Sequence, residues 1–329
     1  FAGYALPVQY PAGIMAEHLH CRSAAALFDV SHMGQAELRG EGAAAALEAL
    51  TPADVAGLKP GRQRYGLLTS PSGGILDDFM FANLGDRIFL VVNASRKEHD
   101  FGHIAAHLPQ GVTLHRHEDR ALLALQGPKS EAALARLVPE VAAMTFMDVG
   151  VFGDLWVSRS GYTGEDGFEI SLPMARAEAF AVSLLDMAEV MPIGLGARDS
   201  LRLEAGLCLY GSDIDETTSA VEAGLVWSIG KRRRMEWNFP GADRVREELA
   251  NGPKRLRVGI RPEGRQPARG HTPIADADGA VIGEVTSGGF GPSVGAPVAM
   301  GYVARPFAED GSALDLMVRG KAVPARVAP

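Results

Sequence analysis

The chain changes texture at Asn251-Gly252-Pro253, and that change constrains the fold more than any single motif does. Beyond it, short β-like pieces recur about every ten residues with Gly and Pro between them. Gly283-Glu284-Val285-Thr286-Ser287-Gly288-Gly289 and Met300-Gly301-Tyr302-Val303 are two such pieces. The expectation for 253–329 is therefore a small all-β domain, a barrel. Upstream, β-branched and aromatic runs alternate with Ala-rich amphipathic ones, so the chain as a whole reads as α+β. A length of 329 residues, 47% of them hydrophobic, is enough for two or three domains with their own cores.

The charge balance narrows the partners. A net charge of −8 and a pI near 5.6 repel nucleic acid and anionic membrane, so neither is expected. The two cysteines, Cys21 and Cys208, are far apart and predict buried reduced thiols rather than a disulfide framework or a zinc cluster. No run approaches the roughly 20 apolar residues that span a bilayer. A reducing interior compartment is expected.

In chain order, a helix is predicted from Gly13 to about Leu27, a strand over Gln35–Gly40 and a helix from Gly42 to about Leu50. His18, His20 and Cys21 are close in sequence, but residues two apart do not share a helix face, and no metal is expected there. Tyr65–Thr69 and Ile88–Val92 read as strands, with Gly73-Gly74 as a turn signal between them. Gly73-Gly74-Ile75-Leu76-Asp77-Asp78 sets two carboxylates side by side in an extended segment, where successive side chains point to opposite faces. One aspartate is expected to meet water and the other to point inward. An inward carboxylate flanked by Leu76 and Phe79 loses solvation, which is how a general acid or base is tuned; two solvated aspartates at a turn are the plainer reading. Asn93 closes the next strand, either as a site residue or as a cap for a helix over Ser95–His107.

A second dense stretch follows. Asp154–Arg159 and Gly167–Leu172 read as a hairpin, with Phe168, Ile170 and Leu172 in a core and Glu169 and Ser171 facing the other way. Gly194–Gly206 predicts a helix carrying Arg198 and Arg202 one turn apart. Gly194 and Gly196 lack the further glycine of a dinucleotide fingerprint, and no Rossmann site is expected. The single basic run, Lys231-Arg232-Arg233-Arg234, is either a solvated loop or a docking patch for an acidic partner.

The ordered set FAGYALPVQY, LFDVSHMG, RYGLLTSPSGGILDD, LVVNAS, ALQGP, SRSGYTGEDGFEI, GARDSLRLEAG, IGEVTSG and MGYV resembles the T-protein, or aminomethyltransferase, family of the glycine cleavage system across essentially the whole chain. The resemblance implies a three-domain cloverleaf around a central folate channel. Its first domain would comprise 1–48 plus 118–211, its second 49–117 plus 212–252, interleaved, and its barrel 253–329. The implied reaction passes the methylene carbon of an aminomethyl group on lipoylated H-protein to tetrahydrofolate, releasing ammonia, with neither metal nor flavin. The implied compartment is the cytoplasm of a bacterium or the mitochondrial matrix of a eukaryote.

By motif position the resemblance makes Asp78 the catalytic carboxylate. Glu169 and Arg198 would hold the polar edge of the pterin, and Tyr65, Met33, Val91, Asn93, Tyr162 and Trp227 would line the ring and aminobenzoyl path. Lys231 to Arg234 would meet H-protein. The loop after the basic run departs from the family's common form, with Met235-Glu236-Trp237-Asn238 before Phe239-Pro240-Gly241. Two readings from the same superfamily stay open: a folate-dependent demethylase, and a non-catalytic folate-binding relative of iron–sulfur assembly. The latter's Lys-Gly-Cys-Tyr signature is absent here.

Overall fold

The computed structural model describes residues 2–328, so Phe1 of the opening motif lies outside the described residues. Two open sheets and a barrel carry the chain. The first sheet has the order β11-β1-β7-β10-β9-β8. Its strands are β1 (Ala25–Asp29), β7 (Arg120–Gln126), β8 (Val149–Phe152), β9 (Leu155–Ser158), β10 (Gly167–Pro173) and β11 (Val190–Pro192), antiparallel except for the β1–β11 pair. The second has the order β3-β4-β5-β2-β6 and is antiparallel throughout. It comprises β2 (Gly34–Arg39), β3 (Arg62–Thr69), β4 (Ile75–Asn83), β5 (Arg87–Val92) and β6 (Thr113–Arg116). The closed barrel is built from β12 (Arg255–Pro262), β13 (Pro273–Ala275), β14 (Val281–Gly291), β15 (Ala296–Ala304), β16 (Ala313–Val318) and β17 (Lys321–Ala328), with β12 bonded to both β15 and β17. The barrel expected after Pro253 is thus present.

Two boundaries differ from the sequence reading. The helix predicted to about Leu27 stops at Ser23, because Ala25 to Asp29 become a central strand bonded to β7 on one side and β11 on the other. The apolar run Ala24-Ala25-Ala26-Leu27-Phe28 suits either form, and tertiary pairing decides it. The strand Gly34–Arg39 and the helix Ala43–Glu48 were expected with the first domain, but both pack on the second sheet: β2 pairs with β5 and β6, and Leu38 and Leu47 share one core with Phe81 and Leu90. The whole second sheet therefore lies between β1 and β7 of the first.

The predicted hairpin of the first sheet is present as β9 and β10, with Glu169 opposite Ser158. Phe168, Ile170 and Leu172 are fully buried, and Ser171 on the other face is buried too, because Arg120 Nε donates to its hydroxyl and that hydroxyl donates to Gln35 Oε1. Both faces of the strand are covered, so alternation here separates core from site rather than core from water.

The barrel is fixed to the rest through Asp213. Arg202 Nη1 donates to Asp213 Oδ2 at 2.7 Å, Ser287 Oγ donates to the same oxygen at 2.9 Å, and Tyr302 Oη donates to the Asp213 carbonyl at 2.7 Å. Arg202 is 3% exposed and Asp213 1%, a buried pair whose remaining oxygens and N–H groups find partners, which is the condition for such a pair to be tolerated.

Candidate active site around Asp78

The turn before Asp78 fixes where it stands. Ser70 N donates to Gly74 O and Gly73 N to Ser70 O, closing a tight loop between β3 and β4. A Cβ on Gly74 would lie 1.8 Å from the Glu216 carbonyl oxygen, so only glycine lets this loop pack beneath the 215–218 backbone, where Ile75 N is bonded to the carbonyls of Asp215 and Thr218. A bulge at Leu76 resets β4, so that Ile75 sits with Leu67 while Leu76 packs with Leu68 and Phe79. From Asp77 on the side chains alternate, with Asp77, Phe79 and Phe81 buried on one face and Asp78 and Met80 half-buried on the other.

The two aspartates do occupy different environments, but neither faces bulk water. Asp77 is fully buried. Asp78 lies one residue before the Phe79–Val92 pair, so Asn93, the residue after Val92, comes opposite it. Asn93 Nδ2 donates to Asp78 Oδ1 at 2.7 Å, to the Asp78 carbonyl at 3.1 Å and to Asp77 Oδ1 at 2.9 Å. Asn93 thus clamps both carboxylates, and the helix behind it, Lys97–Ala106, begins without a side-chain cap. Tyr65, on β3, hydrogen-bonds the Asp78 carboxylate as well.

Burial pushes the Asp78 carboxyl up to about 7, the Asp77 charge adds to the rise, and the hydrogen bonds from Asn93 and Tyr65 oppose it. Burial raises Asp77 further, and a hydrogen bond with Asp100 adds to that. Asp100 was overlooked in the sequence. Its signal was present, since Asp100 stands four residues before Ile104 on the buried face of the helix, next to Phe101.

Glu169 and Arg198 form the other pole. Arg198 comes from the helix Leu195–Glu204, which starts at Gly194, and Glu169 from β10. Each charge acts on the other, yet no hydrogen bond or ion pair joins them, and Arg198 Nη1 is buried without a partner. Burial raises Glu169 and lowers Arg198 against that mutual attraction. Tyr162 stands between the poles. The Arg198 guanidinium lies over its ring at 4.9 Å, its hydroxyl donates to the Cys208 carbonyl, and burial raises its phenol, with the nearby Asp78 charge adding to the rise.

The remaining predicted lining residues fall around this space unevenly. Met33 and Val91 belong to one apolar cluster, with Val91 9% exposed. Tyr65 and Trp227 pack ring to ring at 5.2 Å, and Trp227 is 64% exposed. They stand at a cavity of about 610 Å³ that also takes in Gln63, Arg64 and Phe146.

The basic run is not one patch. Arg233 is 1% exposed, and its Nη2 donates to the carbonyls of Glu48 and Thr51. Arg232 bridges Glu48, Asp54 and Glu236. Arg233 is spent inside the fold, which corrects its place in the expected docking patch, and Arg232, 35% exposed, is engaged by three carboxylates, which leaves Lys231 and Arg234 as the cations of the run without an ion pair among the described residues. His18, suspected of nothing more than proximity to Cys21, is buried against Ser200 and Glu204. No group of three or more metal-binding side chains occurs among the described residues.

Residues 1–233 match the family described as "GCVT N-terminal domain" and residues 255–329 the "Glycine cleavage T-protein C-terminal barrel domain". The chain is 44% identical over 336 residues to the mitochondrial aminomethyltransferase of Mesembryanthemum crystallinum, covering 98% of this chain and 82% of that protein. It is 40% identical to the mitochondrial aminomethyltransferase of Dictyostelium discoideum, over 99% of this chain and 86% of that one. The crystal structure of the glycine cleavage system aminomethyltransferase T from Bartonella henselae superposes with a TM-score of 0.96 at 43% identity, covering 100% of this chain and 92% of that one. Matched from end to end in sequence and in backbone, the chain belongs to the aminomethyltransferase, or T-protein, family of the glycine cleavage system.

Proposed function

We propose that this aminomethyltransferase moves the methylene carbon of an aminomethyl group on the lipoyl arm of H-protein to tetrahydrofolate. The products are ammonia, 5,10-methylenetetrahydrofolate and dihydrolipoyl H-protein. The observation that carries the reading is a buried, unpartnered Arg198 Nη1 beside the Glu169 carboxylate, with Tyr162 between them and Asp78. A half-buried carboxylate and guanidinium with unused hydrogen-bonding capacity lower their free energy by taking a ligand edge that both donates and accepts, as a pterin's does. With that edge on Glu169 and Arg198, Tyr162 and Met33 flank the ring. Tyr65 and Trp227 border the path outward, and the reacting nitrogens point toward Asp78.

Attack of a folate nitrogen on an iminium-like carbon builds positive charge and sheds a proton. Asp78, poised near neutrality in a partly dry site, offsets that charge and accepts the proton. Asn93 and Tyr65 hold its carboxylate in one orientation, so no reorganisation is needed at the moment of transfer. Lys231 and Arg234 are the members of the basic run free to meet an acidic H-protein surface. On this reading the two sheets and the barrel are three domains around the folate space, and the working compartment is a reducing one, which two buried free thiols suit.

The test is a coupled turnover assay with purified chain, tetrahydrofolate and aminomethyl-loaded H-protein, following ammonia and methylenetetrahydrofolate together. Equal formation of both is expected. Folate binding without ammonia would refute the reading and point to another one-carbon donor.

A further inference from the structure

The segment ALQGP has no part in the site described above, yet its glutamine lies against the loop that carries Tyr162. Gln126 ends β7, is fully buried, and stands in register with Gly167, the first residue of β10. Residues 159–166, between β9 and β10, have no regular structure, so their backbone takes partners from elsewhere. Gln126 Nε2 donates to the Ser160 carbonyl at 2.9 Å, and the hydroxyl of fully buried Thr163 donates to Gln126 Oε1, also at 2.9 Å. One carboxamide thus grips the chain on both sides of Tyr162.

The grip is specific to an amide. Turned over, the side chain would set Oε1 against the Ser160 carbonyl, oxygen against oxygen, and a glutamate would do the same with a buried charge. Two glycines leave room for it: a Cβ on Gly161 would lie 1.7 Å from Gln126 Oε1, and one on Gly167 2.5 Å from Nε2. The Thr163 hydroxyl extends the hold by accepting from Glu165 N at 3.2 Å, and Arg22 Nη1, on the helix Ile14–Ser23, donates to the Thr163 carbonyl at 2.6 Å. At its far end Tyr162 is held through its hydroxyl, which donates to the Cys208 carbonyl, while the Arg198 guanidinium rests on its ring. The plane of that ring is therefore set by two anchors, Gln126 at the backbone and Cys208 at the phenol.

We infer that Gln126 is a positioning residue for folate: it fixes the loop that presents Tyr162, and through the Tyr162 ring it sets how tetrahydrofolate and Arg198 meet. The inference rests on the folate site proposed above. Asp78 is oriented by Asn93 and Tyr65, which belong to the second sheet and not to this loop. Loosening Tyr162 therefore weakens folate binding and spares the chemical step. A buried glutamine that only supported the fold would cost the same whether or not the Tyr162 ring were present, and that difference is measurable.

The test is a double-substitution cycle on the full chain, read as the Kd for tetrahydrofolate by calorimetry and as kcat and KM in the coupled assay. Gln126→Met keeps the length of the side chain and loses both hydrogen bonds. Alone it should raise Kd and KM about tenfold with kcat within about threefold, whereas on Tyr162→Leu it should change Kd less than about twofold. An equal rise in both backgrounds, no rise in either, or a loss confined to kcat overturns the inference. Should Gln126→Met fail to fold, Thr163→Val removes one of the two bonds and should raise Kd several-fold, while Thr163→Ser keeps the hydroxyl and should bind as the parent does. Equal binding by those two variants and the parent overturns the inference as well. Tetrahydrofolate binding without ammonia would sink the proposed function and leave the cycle to decide; a parent that binds no tetrahydrofolate overturns both.

Discussion

Replacing Asp78 by Asn separates catalysis from folding. The carboxamide keeps the size of the carboxyl, its oxygen still accepts from Asn93 Nδ2 and Tyr65, and the β4 backbone is unaltered. What disappears is a titratable group raised from 3.8 to about 7. The sign follows from the direction of the shift. A raised carboxyl binds its proton more tightly in the fold, so stability is full below 3.8 and is lost as pH rises through about 7. Each tenfold in proton affinity corresponds to about 1.4 kcal/mol, and solvent reaching half-buried Asp78 reduces the sum. Above neutral pH the Asp78→Asn variant should therefore be about 1–3 kcal/mol more stable than the parent, a trade of stability against function. Turnover should fall about 10²- to 10⁴-fold, the range for loss of a general base, with KM for folate within a few-fold. Parent turnover should rise with pH through a midpoint near 7 and level off above it as Asp78 ionises. Denaturant unfolding and the coupled assay on the same preparations check both halves. A variant that retains kcat within threefold, at normal folate affinity, would refute the role given to Asp78.

Three further outcomes follow from other parts of the structure. Asp77→Asn should flatten the dependence of stability on pH between about 4 and 9, because the raised Asp77 makes the parent lose stability over that window; urea midpoints at several pH values measure it. Arg198→Met should raise KM for tetrahydrofolate by roughly 10- to 100-fold, as expected for a lost charge-assisted pair of hydrogen bonds, with little change in Tm because Nη1 has no hydrogen bond to lose and a methionine still packs on the Tyr162 ring. Arg233→Ala should cost about 3–5 kcal/mol by stranding the groups that a buried cation bonds, whereas Arg234→Ala at the surface should cost under about 0.5 kcal/mol, as thermal unfolding will show.

Much of this was legible from local pattern, and what was not has a common cause. Short β-like pieces spaced by Gly and Pro signalled the barrel, and two β-rich runs about a turn signalled the β9–β10 hairpin; many of these pairings, such as β9–β10, β14–β15 and β16–β17, are made between neighbours in the chain. Local pattern failed at Ala25–Asp29, where a strand is held only by partners at 120–126 and 190–192, distances over which sequence carries no register signal. At the site, alternation separated Asp77 from Asp78 but did not say which was inward, since that depends on the helix packed against β4. The residues alone marked the Asp77–Asp78 pair and Glu169 as candidates, and the family resemblance picked Asp78 from the pair and supplied Met33 and Val91, which look like any apolar core positions. The basic run misled through its composition. Four adjacent cations imply a surface, yet Arg233 is inside because Glu48 and two carbonyls were waiting there from a segment far away in the chain.

The nesting of one sheet between two strands of the other has a consequence for how the molecule comes into being. The five strands of the second sheet lie within 34–116, so they are complete while β1 still lacks both of its neighbours. During synthesis β1 must wait for β7, and later for β11, with a finished sheet hanging between them. Asp78 belongs to the early-finished part, Glu169 and Arg198 to the part that closes last. The two poles of the site meet only when both have docked, so the first turnover by a newly made chain is also a clock for the end of its assembly.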